Sequence, residues 1–381
     1  MILAGYDFAT KLDLRLLNTL PKKSMGKLNV WPSTPIIDRS NEAFKPMNKN
    51  KILFFDPLRK NRRDALRIIT STGSDVIAPE SFKKLEEAAI EQRVNAYVLD
   101  MEGHQHLISR GIELPPVPTI VMSQSALSEI LPYLSDLRNF TNFVAKGPRN
   151  LLNNSDLLGT ISKIMHNDIF GLKKYLAWGA QTWTFHIRDS STRREYIELL
   201  KEFGRHMGLR SSLLKHLEIV AEELLMNAIY DAPVDAYGQP LNHHKSRHEK
   251  VMLDVTQAAR LEFGSDGKRI AISVTDTFGS ITRDLVLKCL IRCFSSGDID
   301  KFSATGGAGL GLFFCYKHVD SLIINVDPLK RTEFIGLIDI EQSVKQSKLD
   351  SSHSALNFFN TDNYSPLFLK NSPSPPRKKS A

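Results

Sequence analysis

One amphipathic helix in the middle of the chain constrains the fold most, because it needs a large apolar partner along one face. Its apolar side chains recur at spacings of three and four residues, at Leu214, Leu217, Val220, Leu224, Leu225, Ala228 and Ile229. Glu223 and Asn227 are four residues apart and so lie on the same side of the helix, one turn from each other. An amide oxygen can ligate Mg²⁺, and a carboxylate can orient or deprotonate a nucleophile. The pair predicts a magnesium–phosphate site, and a solvated helix edge is the alternative.

Two later stretches favour the site. An alternating strand over residues 270–276 ends in Asp276, with Gly279 shortly after it. A buried Asp at a strand end can accept a hydrogen bond from an exocyclic amine such as that of adenine. Residues 305–312 read Thr-Gly-Gly-Ala-Gly-Leu-Gly-Leu and precede an apolar helical run. Glycines before a helix let backbone N–H groups approach phosphate oxygens, although this turn is neither a Walker A motif nor a dinucleotide fingerprint.

In this order, the three stretches resemble the nucleotide-binding boxes of the GHKL ATPase family, which includes histidine kinases, Hsp90, gyrase B and the anti-sigma-factor serine kinases. The resemblance implies an α/β sandwich, a mixed sheet with helices on one face, that binds ATP and Mg²⁺. It implies that Glu223 is the general base and that Asn227 is a magnesium ligand. The nucleotide-binding residues that it implies are Asn227, Asp231, Asp276, Gly279, Gly306, Gly307, Gly309, Leu310, Gly311, Leu312 and Thr332. The family's Asp-x-Gly-x-Gly pattern is replaced here by Asp-Thr-Phe-Gly-Ser, which leaves the shape of that turn open.

The first half of the chain alternates apolar strand-like runs with amphipathic helical stretches. Four of the runs end in polar side chains, at Asp56, Asp100, Ser123 and Lys146. Alternating strands and helices predict a parallel, doubly wound sheet, in which the carboxyl ends of the strands line one crevice. We therefore expect these four side chains to lie near one another.

This set resembles the receiver domain of response regulators, which has a flavodoxin-like fold. The resemblance implies that Asp100 is the phosphoacceptor, that Asp56 and Asp100 hold Mg²⁺, that Ser123 is the switch hydroxyl and that Lys146 contacts the phosphate. Pro57 stands where the family has a second acid, and the segment between Asp100 and Ser123 is short. A degenerate receiver retained for protein interaction is therefore the alternative.

Five segments follow from these patterns. We predict a disordered leader at 1–50, a receiver-like domain at 51–148, a helical connector at 149–180, an ATP-binding domain at 181–345 and a disordered basic tail at 346–381. The connector is predicted to hold a helix from 157 to about 175, which contains His166. A lone helical histidine is usually structural, and no second long helix follows it to form a histidine-kinase hairpin.

Composition excludes several classes of protein. The net charge of +8 comes from the two ends of the chain, so the nearly neutral body does not favour nucleic-acid binding. Cys289, Cys293 and Cys315 lack CxxC spacing and imply neither a disulfide framework nor a zinc site. No apolar run reaches membrane-spanning length, and no signal peptide is evident, so a cytoplasmic protein is expected.

The strand at 184–187, the helix directly after it and then the helix that carries Glu223 and Asn227 are together most similar to the anti-sigma serine kinase branch. The resemblance implies a regulator in bacterial signalling that phosphorylates Ser or Thr of a partner protein, of the anti-anti-sigma or sigma-like kind. A homodimer is a further expectation. Two alternatives remain open: an ATP-dependent interaction switch without phosphotransfer, and an atypical histidine kinase that passes phosphate from His166 to Asp100.

Overall fold

The computed structural model describes residues 50–135, 140–235, 237–242, 245–295, 309–340 and 354–364. The strands in these residues are β1 Lys51–Phe55, β2 Asp75–Ile77, β3 Ala96–Asp100, β4 Thr119–Ser123, β5 Phe140–Ala145, β6 Thr182–Ile187, β7 Ala259–Ser265, β8 Arg269–Asp276, β9 Ser321–Asp327, β10 Arg331–Asp339 and β11 Ala355–Asn360. The α-helices are α1 Arg59–Ser71, α2 Phe82–Glu91, α3 Met101–Ser109, α4 Leu127–Ser135, α5 Asn154–His166, α6 Arg193–His206, α7 Ser211–Met226, α8 Arg283–Ser295 and α9 Leu310–Lys317. The predicted α/β class is confirmed.

All of these strands belong to one sheet, in the order β2-β1-β3-β4-β5-β11-β9-β10-β8-β7-β6. The first five strands pair in parallel, as the alternation of strands and helices predicts. From β9 to β6 every neighbouring pair is antiparallel. The chain therefore builds a parallel half and an antiparallel half within a single mixed sheet.

Strand β11 joins the two halves and corrects the prediction of a disordered tail over 346–381 for the residues that form it; residues 346–353 and 365–381 lie outside the described part of the chain. It pairs in parallel with β9 along its whole length and antiparallel with β5 at Leu356↔Phe143 and Asn357↔Asn142. Leu356 and Phe358 face the core on one side of the sheet, and Phe359 faces the core on the other. A central strand buried on both faces needs only a short apolar run, which the Ser- and Asn-rich surroundings concealed.

Apolar cores cover both faces of the antiparallel half. Helices α6, α7, α8 and α9 pack on one face, where Ile270, Ile272 and Val274 of β8 point. Helix α5 packs on the opposite face, against Ala271 and its neighbours. Because side chains alternate along a strand, Asp276 points to the same face as Val274, toward α7. The predicted connector helix is shorter than expected: it ends at His166, where Asn167 adopts a left-handed conformation with φ of 51°.

A buried polar network fastens α5 to this second face. Lys163 is 4% exposed, and its Nζ donates to Oδ1 of Asn325 over 3.1 Å. Nδ2 of Asn325 donates to Oε2 of Glu333 over 2.9 Å. Glu333 is fully buried and also accepts hydrogen bonds from Oγ of Ser273 (3.1 Å) and the backbone N–H of Gly171 (2.9 Å). The network thereby links the connector to β8, β9 and β10.

The Lys163 ammonium also lies 4.5 Å from the ring centre of Tyr175 and 4.6 Å from that of Phe359. Burial lowers the pKa of Lys163 to about 7, while the Glu333 carboxylate acts in the opposite direction. The folded protein therefore releases this proton at a lower pH than the unfolded chain does.

The depressed pKa makes a prediction about stability. Between pH 7 and about 10, the unfolded chain keeps the Lys163 proton that the folded protein has lost, so the free energy of unfolding should rise with pH by at most ~1.4 kcal/mol per unit. Lys163→Met should remove this rise, because methionine does not titrate. Urea denaturation at several pH values measures it. Lys84→Met, at a lysine whose side chain is 61% exposed, is the control. An unchanged slope in Lys163→Met would contradict the assignment.

Candidate functional site

The helix that carries Glu223 does not remain a regular α-helix through Asn227. Helix α7 ends at Met226 and passes into a π-helical turn at Asn227–Asp231. The backbone N–H of Asn227 donates to the carbonyl of Glu223, so these two residues lie one turn apart, as their spacing predicts. π-Helical turns are rare and occur frequently at functional sites. Within this turn, Ala228, Ile229 and Tyr230 remain in the apolar core, whereas the polar Asn227 and Asp231 are more exposed.

Glu223 has a buried carboxylate oxygen without a hydrogen-bond partner. This atom, Oε2, lies 3.6 Å from Nη1 of Arg247, which is beyond hydrogen-bond distance. Burial raises the pKa of Glu223, and the Arg247 guanidinium partly offsets the effect. A carboxylate with a raised pKa and a vacant acceptor atom is suited to take a proton from a hydroxyl group.

The glycine-rich stretch meets Glu223 at the start of α9. A Cβ atom on Gly311 would overlap Oε2 of Glu223, so only glycine lets the helix approach this closely. Gly309, just before α9, has φ of 98°, and a Cβ there would lie 2.5 Å from Sγ of Cys289. Leu310 is half-buried and Leu312 is buried, and both belong to the apolar core. Gly306 and Gly307 lie outside the described residues.

Asp276 ends β8 with a buried side chain that closes a tight turn. One carboxylate oxygen accepts hydrogen bonds from the backbone N–H groups of Phe278 (2.8 Å) and Gly279 (3.2 Å). Gly279 has φ of 62°, and a Cβ on it would overlap the carbonyl oxygen of Asp327. Thr332 is also buried and lies opposite Asp276 in the β8–β10 register. A single glycine at 279 is thus sufficient to form the turn.

Burial raises the pKa of Asp276 to about 6, although the hydrogen bonds from Phe278 and Gly279 act in the opposite direction. The side chain is therefore largely ionised at pH 7 while lying away from bulk water. A carboxylate in this state can accept a hydrogen bond from a ligand amine.

The receiver-like residues form a second centre at the ends of β1, β3 and β5. Asp56, Asp100 and Lys146 are all buried. Nζ of Lys146 lies 2.7 Å from Oδ2 of Asp56 and also pairs with Oδ2 of Asp100. Ser123 is also buried: its carbonyl accepts from the backbone N–H of Lys146 over 2.8 Å, and its Oγ accepts from the backbone N–H of Ser125 over 2.9 Å.

The remaining carboxylate oxygens of this centre already have protein donors. Oδ1 of Asp56 accepts from the backbone N–H of Leu58 (2.8 Å), and Oδ2 accepts from Nδ2 of Asn61 (2.8 Å). Oδ1 of Asp100 accepts from the backbone N–H of Glu102 (2.9 Å) and so caps α3. The Lys146 ammonium thus pairs with both Asp56 and Asp100. Over the described part of the chain, no cluster of three or more His, Cys, Asp or Glu that could hold a metal is found.

Sequence reasoning missed two residues of these centres. Asn61 occupies the stripe of buried positions that Ala65 and Ile69 continue along α1, so a polar residue at apolar spacing was the available signal. Arg247 lies in a loop that the sequence presents as a solvated, histidine-bearing segment, and no spacing singles it out. The two centres occupy opposite halves of the sheet.

Comparisons with known proteins add a weak similarity to solved structures. No family model and no curated protein matches the chain. Among solved structures, it is similar to a chain from the SiaB–SiaC complex of Pseudomonas aeruginosa, with 18% sequence identity and a TM-score of 0.27. The match covers 41% of this chain and 88% of that chain. A similarity this low supports no conclusion about function. In the part of the chain that is described, no helix has the length and apolar character needed to cross a membrane.

Replacing Gly311 with alanine tests the contact between α9 and Glu223. The added methyl group should push Glu223 aside, lowering the free energy of unfolding by ~1–3 kcal/mol through overpacking. Gly159→Ala is the matched control, because nothing lies within 4 Å of a Cβ at that helical position. Thermal unfolding of both variants makes the comparison. Equal stability of Gly311→Ala and Gly159→Ala would show that the close approach is wrong.

Replacing Lys146 with methionine tests the second centre. The change leaves two buried carboxylates without their cation and should cost about 3–5 kcal/mol of stability. Adding Asp100→Asn should restore part of the loss, since one buried charge is then removed. Lys84→Met, at an exposed lysine, should change stability by less than ~0.5 kcal/mol. Urea denaturation of the wild type and the three variants gives these stabilities. A loss in Lys146→Met no larger than that in Lys84→Met would argue against a buried ion-pair cluster.

Proposed function

We propose that this chain is a signalling regulator whose residues 181–345 bind Mg·ATP and transfer the terminal phosphoryl group to a Ser or Thr of a partner protein. The observation that carries the proposal is Oε2 of Glu223, a buried acceptor without a hydrogen-bond partner beside Gly311 at the start of α9. A buried acceptor left without a donor costs about 1–3 kcal/mol. A reacting hydroxyl group would supply the missing donor at that position.

The other residues have roles that fit this chemistry. Asp276 would accept a hydrogen bond from the adenine amine, and backbone N–H groups at the start of α9 would face the phosphates. The amide oxygen of Asn227 is a suitable ligand for Mg²⁺, which supplies charge neutralisation at the phosphates when bound. Glu223 would take the proton of the partner hydroxyl. The hydroxyl oxygen would then form a bond to the terminal phosphorus as the bond between that phosphorus and the ADP oxygen breaks.

We also propose that this chain is a member of the GHKL family. Membership is supported by the three motifs and by the order of elements along residues 182–339. In the described residues, that order begins with the edge strand β6 and the helices α6 and α7, the second of which carries Glu223. The β7–β8 hairpin, which ends in Asp276, follows, and then the helices α8 and α9 and the β9–β10 hairpin. The turn at Gly279 supports it further, because the turn forms despite the altered motif.

A nucleotide-controlled interaction switch without phosphotransfer is the second candidate function. It is favoured by the Arg247 guanidinium beside Glu223, which opposes the role of this carboxylate as a base. The third candidate, an atypical histidine kinase that uses His166, has less support than the interaction switch. His166 lies at the exposed end of α5, and its Nδ1 is 2.8 Å from the carbonyl oxygen of Ser162 in its own helix.

For the receiver-like half, we propose a structural and interaction role in place of phosphorylation. Both oxygens of Asp100 are engaged, one by the N–H of Glu102 and the other by Lys146. Phosphorylation or Mg²⁺ binding at Asp100 would have to break these buried contacts. A degenerate receiver therefore fits the geometry better than an active phosphoacceptor.

The proposal predicts a separation between binding and turnover. Glu223→Gln should bind Mg·ATP within a few-fold of the wild type but lose hydrolysis and transfer, because the amide cannot take a proton. Asp276→Asn should weaken ATP binding by at least about tenfold, since the amide can turn a donor toward the adenine amine. Asn227→Ala should weaken binding in the presence of Mg²⁺. Calorimetric titration and release of labelled phosphate measure the two properties.

The outcomes separate the candidate functions. Turnover that disappears in Glu223→Gln supports an enzyme, whereas ATP binding without turnover in the wild type supports the switch. Asp254→Asn, on an exposed 3₁₀ turn, is a control for general effects of removing a carboxylate. Absence of ATP binding by the wild-type protein would overturn the proposal.

A further inference from the structure

Arg247 lies where two acidic side chains of the site helix and its π-helical turn come together. Its Nη1 atom is 3.6 Å from Oε2 of Glu223, and its Nη2 atom is 3.8 Å from Oδ2 of Asp231. In sequence, Glu223 and Asp231 flank Asn227 at four residues on either side. The guanidinium therefore bridges two carboxylates across the region where the proposed function places Mg²⁺.

The position of Arg247 is fixed by a hydrogen-bonded turn. The backbone N–H of Glu249 donates to the carbonyl of Ser246 over 2.9 Å, and the N–H of Ser246 donates to Oε1 of Glu249 over 2.8 Å. The hydroxyl of Tyr230 donates to the carbonyl of Glu249 over 2.7 Å. The turn that carries Arg247 is thus tied to the π-helical turn that carries Asn227.

The side chain of Arg247 is nevertheless held loosely. Both ion-pair distances exceed the usual hydrogen-bond range, and Oε2 of Glu223 remains without a hydrogen-bond partner. The Arg247 and Asp231 side chains are each 46% exposed, and ion pairs of this kind contribute little to stability. The guanidinium can therefore leave the carboxylates without disturbing the core.

We propose that, in the nucleotide-free protein, Arg247 is an internal counter-ion that competes with a divalent cation for Glu223 and Asp231; once Mg·ATP is bound, the proposed function places the cation at Asn227 and leaves Glu223 as the base. Carboxylate oxygens are ligands that hard divalent cations prefer, and a guanidinium between them both offsets part of their charge and blocks access. The inference rests on the proposed function, since it concerns the regulation of the same site. Arg247 keeps the nucleotide-free protein closed to metal, and once displaced its charge becomes available to phosphate oxygens.

The test is a titration of the nucleotide-free protein with Mn²⁺, in which electron paramagnetic resonance measures the free ion. Arg247→Ala should bind Mn²⁺ at least about tenfold more tightly than the wild type, because two carboxylates lose their counter-ion. Arg247→Lys keeps the charge and should stay within about threefold of the wild type. Arg67→Ala is the matched control, because this arginine pairs with Asp64 on the exposed surface of α1.

A double variant, Arg247→Ala with Glu223→Gln, should lose the gain in Mn²⁺ affinity. Equal Mn²⁺ affinities of Arg247→Ala and the wild type would overturn the inference, as would a gain that persists in the double variant. Thermal unfolding verifies that each variant is folded. Mg·ATP binding by the same wild-type preparation separates the two claims: its absence counts against the proposed function, and an unchanged Mn²⁺ affinity counts against Arg247 alone.

Discussion

The pairing of β11 with both β5 and β9 is the interaction on which the rest of the architecture depends. Without this strand, the parallel and the antiparallel halves would each present an open edge of unpaired backbone groups. A buried hydrogen bond reinforces the junction, since Nδ2 of Asn142 donates to Oδ1 of Asn357 over 3.0 Å. Thr160 of α5 also contacts Asn357, with Oγ1 3.4 Å from Oδ1. The connector, both half-sheets and the last strand therefore meet at one asparagine.

The two charged centres differ in how their polar atoms are satisfied. At the Asp56 and Asp100 centre, lysine, an asparagine side chain and backbone N–H groups engage the carboxylate oxygens, and the group is closed to solvent. At Glu223, one oxygen is buried without a hydrogen-bond partner, and the nearest guanidinium is loosely held. Removing one partner from a satisfied group of buried charges is costly, whereas an unsatisfied acceptor is suited to a reacting or bound group. This contrast is why we propose a structural role for the first centre and a chemical role for the second.

Much of the fold followed from local patterns. The strands of the first half and the amphipathic site helix are readable because their apolar periodicities are regular. The short run that forms β11 was not readable, because its environment is set by β5 and β9, which are distant in sequence. The end of α5 at His166 was also missed, since the left-handed Asn167 terminates an apolar pattern that otherwise continues.

At the site, spacing predicted that Glu223 and Asn227 would be neighbours. The glycines predicted a close approach of the backbone to phosphate oxygens, and the approach of Gly311 to Glu223 was not predicted. The roles of these residues toward ATP and Mg²⁺ stay predictions. Arg247 and the Lys163–Asn325–Glu333 network could not be predicted, because each depends on contacts between segments whose sequences carry no shared pattern. Long-range electrostatic pairing is set by the fold and leaves little trace in local sequence.

The place of β11 in the sheet has a consequence for how the chain is made. Asn142 and Asn357 are 215 residues apart, so a ribosome must finish almost every other strand before β5 can find its neighbour. Until then, the edges of β5 and β9 are exposed to other nascent chains, and such edges are prone to aggregation. Contacts this distant in sequence also slow folding. Completion of the sheet is thus expected to be a late step after synthesis, at which chaperones would have their greatest effect on yield.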